Sequence, residues 1–202
     1  MRLVFYTSPM SRGRIIRWML EETGAPYETR FLRYGEDMSA PSYAAINPMQ
    51  KVPAIVHNGR VVTECGAICL YLADAFPEAG LAPPLPDRAS YYRWMMFAAG
   101  PREQANIATA PGVDASPEQS RMAGYGTFER AFDVLLSLVP ETGYMLGGKF
   151  SALDVYAGSH IGWATQFGSV PATPRVSAYL DRVQSRPAAL RAVELDDAAI
   201  GE

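Results

Sequence analysis

The chain is poor in the groups that usually announce chemistry. Of its 202 residues only two are cysteine, Cys65 and Cys69, and only two are histidine, His57 and His160. The cysteines fall four apart in an apparent helix, where side chains at i and i+4 share a face. A disulfide within one helical turn is geometrically poor, so two free thiols of a reducing compartment are expected. Zinc-ligand spacing is absent, and no metal is expected. No apolar run approaches the ~20 residues of a membrane span, which argues against a membrane partner. The run Leu3 to Thr7 is too short for the apolar core of a secretory signal, so a cytoplasmic protein starting at Met1 is expected. No basic run or basic–aromatic stripe appears, and the formal net charge is -3, so nucleic acid is not an expected partner.

What is present can pack. Apolar residues make up 49% and charged residues 19%, which supports a globular core rather than disorder. Arg2 to Thr7 reads as a strand. A helix follows from about Ser11 to Thr23, with Ile15, Ile16, Met19 and Leu20 on one stripe, and Gly24 and Pro26 stop it. Tyr27 to Leu32 reads as a second strand, which makes a β-α-β unit with parallel strands. Tyr34 to Gln50 is polar and irregular, with a short helix expected around Pro41 to Ala45. Two apolar runs then flank Asn58-Gly59, a strong hairpin signal, and His57 beside that turn is expected to be exposed. A helix from Cys65 to Phe76 closes this half.

Four prolines between Pro77 and Pro86 mark a linker. The domains are therefore expected at 1–78 and 89–202, joined by 79–88. The second half reads as all helix. Gly100-Pro101 is expected to kink or break the helix that starts near Tyr91. A helix beginning with Ser116 as N-cap and Pro117 at its first position is expected to run on through Val139. Three more helices follow, over 151–167, 173–186 and 187–199. Arg93 and Arg102 are expected to be solvated, and His160 to be a helix residue without catalytic duty.

Four local patterns carry chemical meaning. "FYTSPMSRGRII" is a strand–turn–helix joint with Tyr6, Ser8 and Ser11 but no cysteine. "NPMQKVPAI" places Pro53 at a strand start, where it cannot donate to the ladder. Glu64-Cys65 opens a helix, whose free N–H groups attract anions. Ser151 and Asp154 have the spacing of a capping box, a folding role rather than a catalytic one.

In this order the patterns resemble the cytosolic glutathione transferases, over nearly the whole chain, and in particular bacterial members with Ser-Arg in the first turn. The resemblance implies an α+β thioredoxin-like N-terminal domain (βαβ–ββα) followed by an all-α C-terminal helical domain. It implies glutathione as co-substrate, a homodimer, and a cis bond before Pro53 that lets Val52 pair with the cysteinyl backbone of glutathione. Gln50, Lys51, Val52, Pro53, Glu64 and Cys65 would form the glutathione site. Cys65 departs from the usual serine or threonine, and a thiol is the weaker donor. A helix N-terminus can also lower a thiol pKa and make it mildly reactive.

Within that resemblance the first turn would stabilise the glutathione thiolate. Ser11, at the helix start, ranks first as donor, with Ser8 and Tyr6 as alternates. The thiolate would attack a small hydrophobic electrophile lined by Met10, Trp94, Phe97, Trp163 and Phe167. A glutathione-dependent peroxidase or disulfide-bond reductase is the first alternative; a reductase cycle of the glutaredoxin kind needs a cysteine that "SPMSR" lacks. A non-catalytic glutathione-binding or interaction module is the second, since fold alone does not guarantee activity.

Overall fold

The computed structural model describes residues 2–108 and 116–200. They divide into two compact units, Met1–Ala82 with Gln184–Glu202, and Pro83–Val183.

The first unit is built on a four-stranded sheet. β1 (Leu3–Thr7) leads into α1 (Gly13–Thr23) and then β2 (Glu28–Phe31). Two single-turn helices, α2 (Glu36–Ser39) and α3 (Pro41–Ala44), precede the hairpin of β3 (Ala54–His57) and β4 (Arg60–Thr63). α4 (Cys65–Ala75) follows. The sheet order is β2-β1-β3-β4, with β1 parallel to β2 and antiparallel to β3. This is the expected thioredoxin-like arrangement. The hairpin turn has positive φ at both Asn58 (50°) and Gly59 (80°), as a type I′ turn requires. The amphipathic stripe of α1 does what its spacing predicts: Ile15, Ile16, Met19 and Leu20 are fully buried. Cys65 and Cys69 are both free thiols.

Two features of this unit differ from expectation. His57 is buried rather than exposed. Its ring stacks on Phe76 at 5.5 Å, and its Nδ1 lies 2.9 Å from the Tyr71 hydroxyl. The last helix, α11 (Pro187–Ala198), packs on α1, whereas the sequence suggests the helical half. Ion pairs explain the attachment. Arg17, 3% exposed at its side chain, meets Asp196 at 3.1 Å, and Arg186 grips Glu22 through two 2.7 Å bonds. Arg17 also donates to the Tyr27 hydroxyl and Thr29 Oγ1 and lies 4.9 Å from the centre of the Phe5 ring. Such spacings join residues too far apart in the chain for local pattern to show.

The second unit is helical. α5 (Arg88–Phe97) passes through one π-helical turn, Ala98–Arg102, into α6 (Glu103–Ala108). Pro101 has no N–H and would crowd the carbonyl four residues back, and the wide turn accommodates it. Arg102, expected to be solvated, is 3% exposed. Its Nη1 lies 2.6 Å from His160 Nδ1, and its guanidinium lies 5.0 Å from the Phe132 ring centre. The helix expected from Ser116 onward is two helices, α7 (Pro117–Met122) and α8 (Phe128–Leu136). Gly124 and Gly126 interrupt it, and Thr127 caps the restart by accepting the Arg130 N–H.

α9 (Ala152–Gln166) is the buried centre of this unit, and α10 (Pro174–Gln184) follows it. The capping box of Ser151 and Asp154 is formed as expected. Asp154 also accepts the Met145 N–H at 2.9 Å and the Tyr179 hydroxyl at 3.0 Å. One carboxyl therefore ties the start of α9, the preceding loop and α10 together. Burial outweighs these donors and raises its pKa.

Candidate active site

Three motifs far apart in sequence end at one edge of the first unit's sheet. Tyr6 pairs with Ala54, and Ala54 with Thr63. β1 ends at Thr7, one residue before Ser8, β3 begins just after Pro53, and β4 ends just before Glu64-Cys65, so the three motifs leave the sheet at the same end. The Val52–Pro53 bond is cis. The ladder of β3 begins at Ala54, so the Val52 backbone lies outside it.

The N-termini of α1 and α4 meet at the same place. Cys65, the first residue of α4, points its thiol at the Arg12 carbonyl, 3.7 Å away. Arg12 in turn occupies the N-cap of α1. Each helix start carries free N–H groups and partial positive charge, so their convergence makes an anion-favouring pole. Glu64 just before α4 is exposed, with φ of 64°, and its carbonyl accepts the Ile68 N–H.

The β1–α1 turn is knitted from its own hydroxyls. Ser11 Oγ donates to the Ser8 carbonyl at 2.7 Å and accepts the Gly13 N–H at 2.9 Å. Its single proton is therefore engaged within the turn. The Ser8 hydroxyl has no partner among the described residues. Tyr6 lies elsewhere: its ring packs on Tyr43 at 5.6 Å, in a cluster with Met38 and Ala54. Strand alternation explains this, because Phe5 and Thr7 face α1 and Tyr6 faces the other side.

Gln50 and Lys51 are exposed on the loop before Pro53. The Lys51 carbonyl accepts the Tyr43 hydroxyl at 2.6 Å and Asn47 Nδ2 at 2.7 Å. Asn47 is 4% exposed and also accepts the Met49 N–H. Burial pushes the Tyr43 hydroxyl's pKa up to about 12, so it stays a donor at any ordinary pH.

The five residues expected against an electrophile divide between the units. Met10 belongs to the first and is 71% exposed. In the second, Trp94 and Phe97 meet edge to face at 5.8 Å, and Trp163 lies edge-on to His160 at 6.0 Å. Phe167, just past α9, is 77% exposed.

Sequence reasoning passed over three residues that shape the site. Gly13 is one: a Cβ there would lie 1.9 Å from Thr7 Oγ1 and 2.9 Å from Ser11 Oγ. Arg14 is another, since its Nε donates to the Pro9 carbonyl at 2.7 Å. Asn47 is the third, and the Asn-Pro dipeptide was its one available signal.

A thioredoxin-like domain, with helix starts gathered at the cis-proline edge of its sheet, followed by a helical unit, defines the class of this protein. The family described as glutathione S-transferase, N-terminal domain, matches residues 1–74. A glutathione S-transferase-like protein of Beauveria bassiana is 31% identical, over 84% of each chain. A maleylacetoacetate isomerase of Pseudomonas aeruginosa is 25% identical over 93% of each chain. The solved structure of a sphingomonad glutathione S-transferase complexed with glutathione superimposes with a TM-score of 0.75 at 28% identity, covering 96% of this chain and 98% of that one. The chain belongs to the glutathione S-transferase family and is an enzyme of it. No helix among the described residues is long and apolar enough to cross a membrane.

Proposed function

We propose that this enzyme binds glutathione along the cis-proline edge, holds its thiol as thiolate at the β1–α1 turn, and presents it to a small hydrophobic electrophile. The observation that carries the reading is the convergence of two helix N-termini at that edge, with the Cys65 thiol 3.7 Å from the Arg12 carbonyl. A peptide thiolate has two needs there. Its backbone can pair with Val52 as an added strand, and its anionic groups can meet free helix N–H groups. Glu64, exposed beside them, would face the γ-glutamyl ammonium, and the Cys65 N–H the γ-glutamyl carboxylate. Gln50 and Lys51 would flank the other end of the tripeptide.

The turn supplies the sulfur's donor. Ser11 heads the sequence ranking, but its proton already serves the Ser8 carbonyl, and one hydroxyl proton cannot serve two acceptors. The Ser8 hydroxyl is uncommitted, so we place it first as thiolate donor, with Ser11 as the brace of the turn. Tyr6, on the far face of β1, has the weakest claim. Binding then gains from proximity: an electrophile held beside the sulfur, where Met10 of the same unit stands exposed, reacts as if in one molecule.

Family membership leaves open what the thiolate attacks, as the isomerase relative illustrates. Glutathione-affinity binding, followed by turnover with an aryl halide, cumene hydroperoxide and hydroxyethyl disulfide, separates the choices. Retention on glutathione with aryl halide turnover is the expected result. Turnover of only the peroxide or the disulfide would move the protein to the redox reading. Retention with no turnover would make it a binding module. A homodimer belongs to the same proposal, and light scattering tests it.

A further inference from the structure

We infer that Arg14, held by Asp197 of the C-terminal helix, is a positioning residue for the thiolate-holding turn. The inference rests on the proposed role of that turn. The Arg14 guanidinium works as a two-ended bracket. Its Nε donates to the Pro9 carbonyl at 2.7 Å, in the middle of the Ser8–Ser11 turn. Its Nη2 donates to Asp197 Oδ1 on α11. Pro9 itself has no N–H, so its carbonyl is the one backbone group through which this residue can be held. α11 is a firm base for the bracket, because the buried Arg17–Asp196 pair fixes it on α1 one residue from Asp197.

The outer pair is partly solvated, with side chains 25% and 54% exposed. A pair of that kind adds little to stability. What it can set is the direction of the Arg14 fork, and through it the place of the Pro9 carbonyl and its neighbour Ser8. The C-terminal helix thereby reaches the sulfur site without touching it.

Charge and position make opposite forecasts for Asp197→Asn. If Arg14 acted only as a cation, removing its carboxylate partner would leave more positive charge near the sulfur and lower the bound thiol's pKa. A released bracket instead lets the turn wander, so the thiol pKa rises and kcat falls. The test compares Asp197→Asn, Arg14→Lys and Glu22→Gln with the unaltered enzyme. The readouts are thiolate absorbance of bound glutathione against pH, kcat and KM for glutathione, and thermal stability. Asp197→Asn and Arg14→Lys should lose about tenfold in kcat, with KM for glutathione changed less than about twofold. Both should raise the thiol pKa, although Arg14→Lys keeps the charge. Glu22→Gln loosens α11 away from the turn; it should lower stability and leave the thiol alone.

Unchanged kcat in both bracket variants, a lowered thiol pKa in Asp197→Asn, or an equal thiol shift in Glu22→Gln would each overturn the inference. If the unaltered enzyme forms no glutathione thiolate at all, the reading of the turn fails first and the bracket falls with it.

Discussion

Gly13→Ala is the sharpest perturbation of the turn. An added Cβ would sit 1.9 Å from Thr7 Oγ1, 3.0 Å from Thr7 Cβ and 2.9 Å from Ser11 Oγ. Thr7 is fully buried at the end of β1, so it has nowhere to go. Overpacking of this kind costs about 1–3 kcal/mol. For a chain of this length that corresponds to a fall of roughly 2–12 °C in Tm. The displaced Ser11 hydroxyl also loses its bonds to the Gly13 N–H and the Ser8 carbonyl, so the sulfur's holder should shift. Turnover with an aryl halide should drop about tenfold or more, since small misplacements near the reacting atoms are expensive. Differential scanning calorimetry and steady-state kinetics read both effects. The double variant Thr7→Ala/Gly13→Ala supplies the control, because it removes the nearest obstructing atom. It should be more stable than the sum of the single changes allows, by about 1 kcal/mol of coupling. A Gly13→Ala protein with unchanged Tm and turnover would show that the crowding of this turn has been misread.

Further outcomes are expected elsewhere. Ser8→Ala should reduce kcat by about 10²–10³, or ~2.7–4 kcal/mol, with glutathione affinity little altered, whereas Ser11→Ala should mainly destabilise the turn; the reverse order restores Ser11 as donor. Arg17→Met should cost roughly 3–5 kcal/mol in urea unfolding, because it strips a buried carboxyl of its cation and two hydroxyls of their donor. Replacing both partners, Arg17→Met with Asp196→Leu, should recover much of that loss, and failure to recover any would contradict a buried-charge origin. Burial raises the Asp196 pKa more than Arg17 lowers it, so the native state holds that proton more tightly than the unfolded chain does. The stability this contributes is fully present below the ordinary carboxyl value near ~3.9 and is lost as pH rises through the raised native value. Asp196→Asn should flatten the urea midpoint across that window, and an unflattened profile would rule the group out as its source.

Local signals were enough for the first unit's outline and for one helix start of the second. The stripe of α1, the Asn58-Gly59 turn and the Ser151–Asp154 cap each depend on residues within a few positions of one another, and each formed as its spacing implies. The thioredoxin-like class followed from their order. Long-range polar contacts were not legible. Arg17 and Asp196 are 179 positions apart, and nothing near either one names its partner. α11 therefore read as one more helix of the helical half. Arg102 looked solvated because charge usually is, but the π-turn around Pro101 carries it into the buried interior. His57 looked exposed because it borders a turn, yet Phe76 and Tyr71 come from a later helix and its end to cover it. At the candidate site, residue types could be read but proton directions could not. Three serine and tyrosine hydroxyls were visible from the start; the strand face sets Tyr6 apart, and the 2.7 Å bond from Ser11 to the Ser8 carbonyl separates the two serines.

The most direct measurement is the pH titration of thiolate absorbance for glutathione bound to the enzyme. A turn that holds and polarises sulfur should shift the midpoint well below the ~8.5 of an ordinary thiol, and Ser8→Ala should move it back up. A bound thiol that titrates at the same pH as free glutathione would contradict thiolate activation at this site.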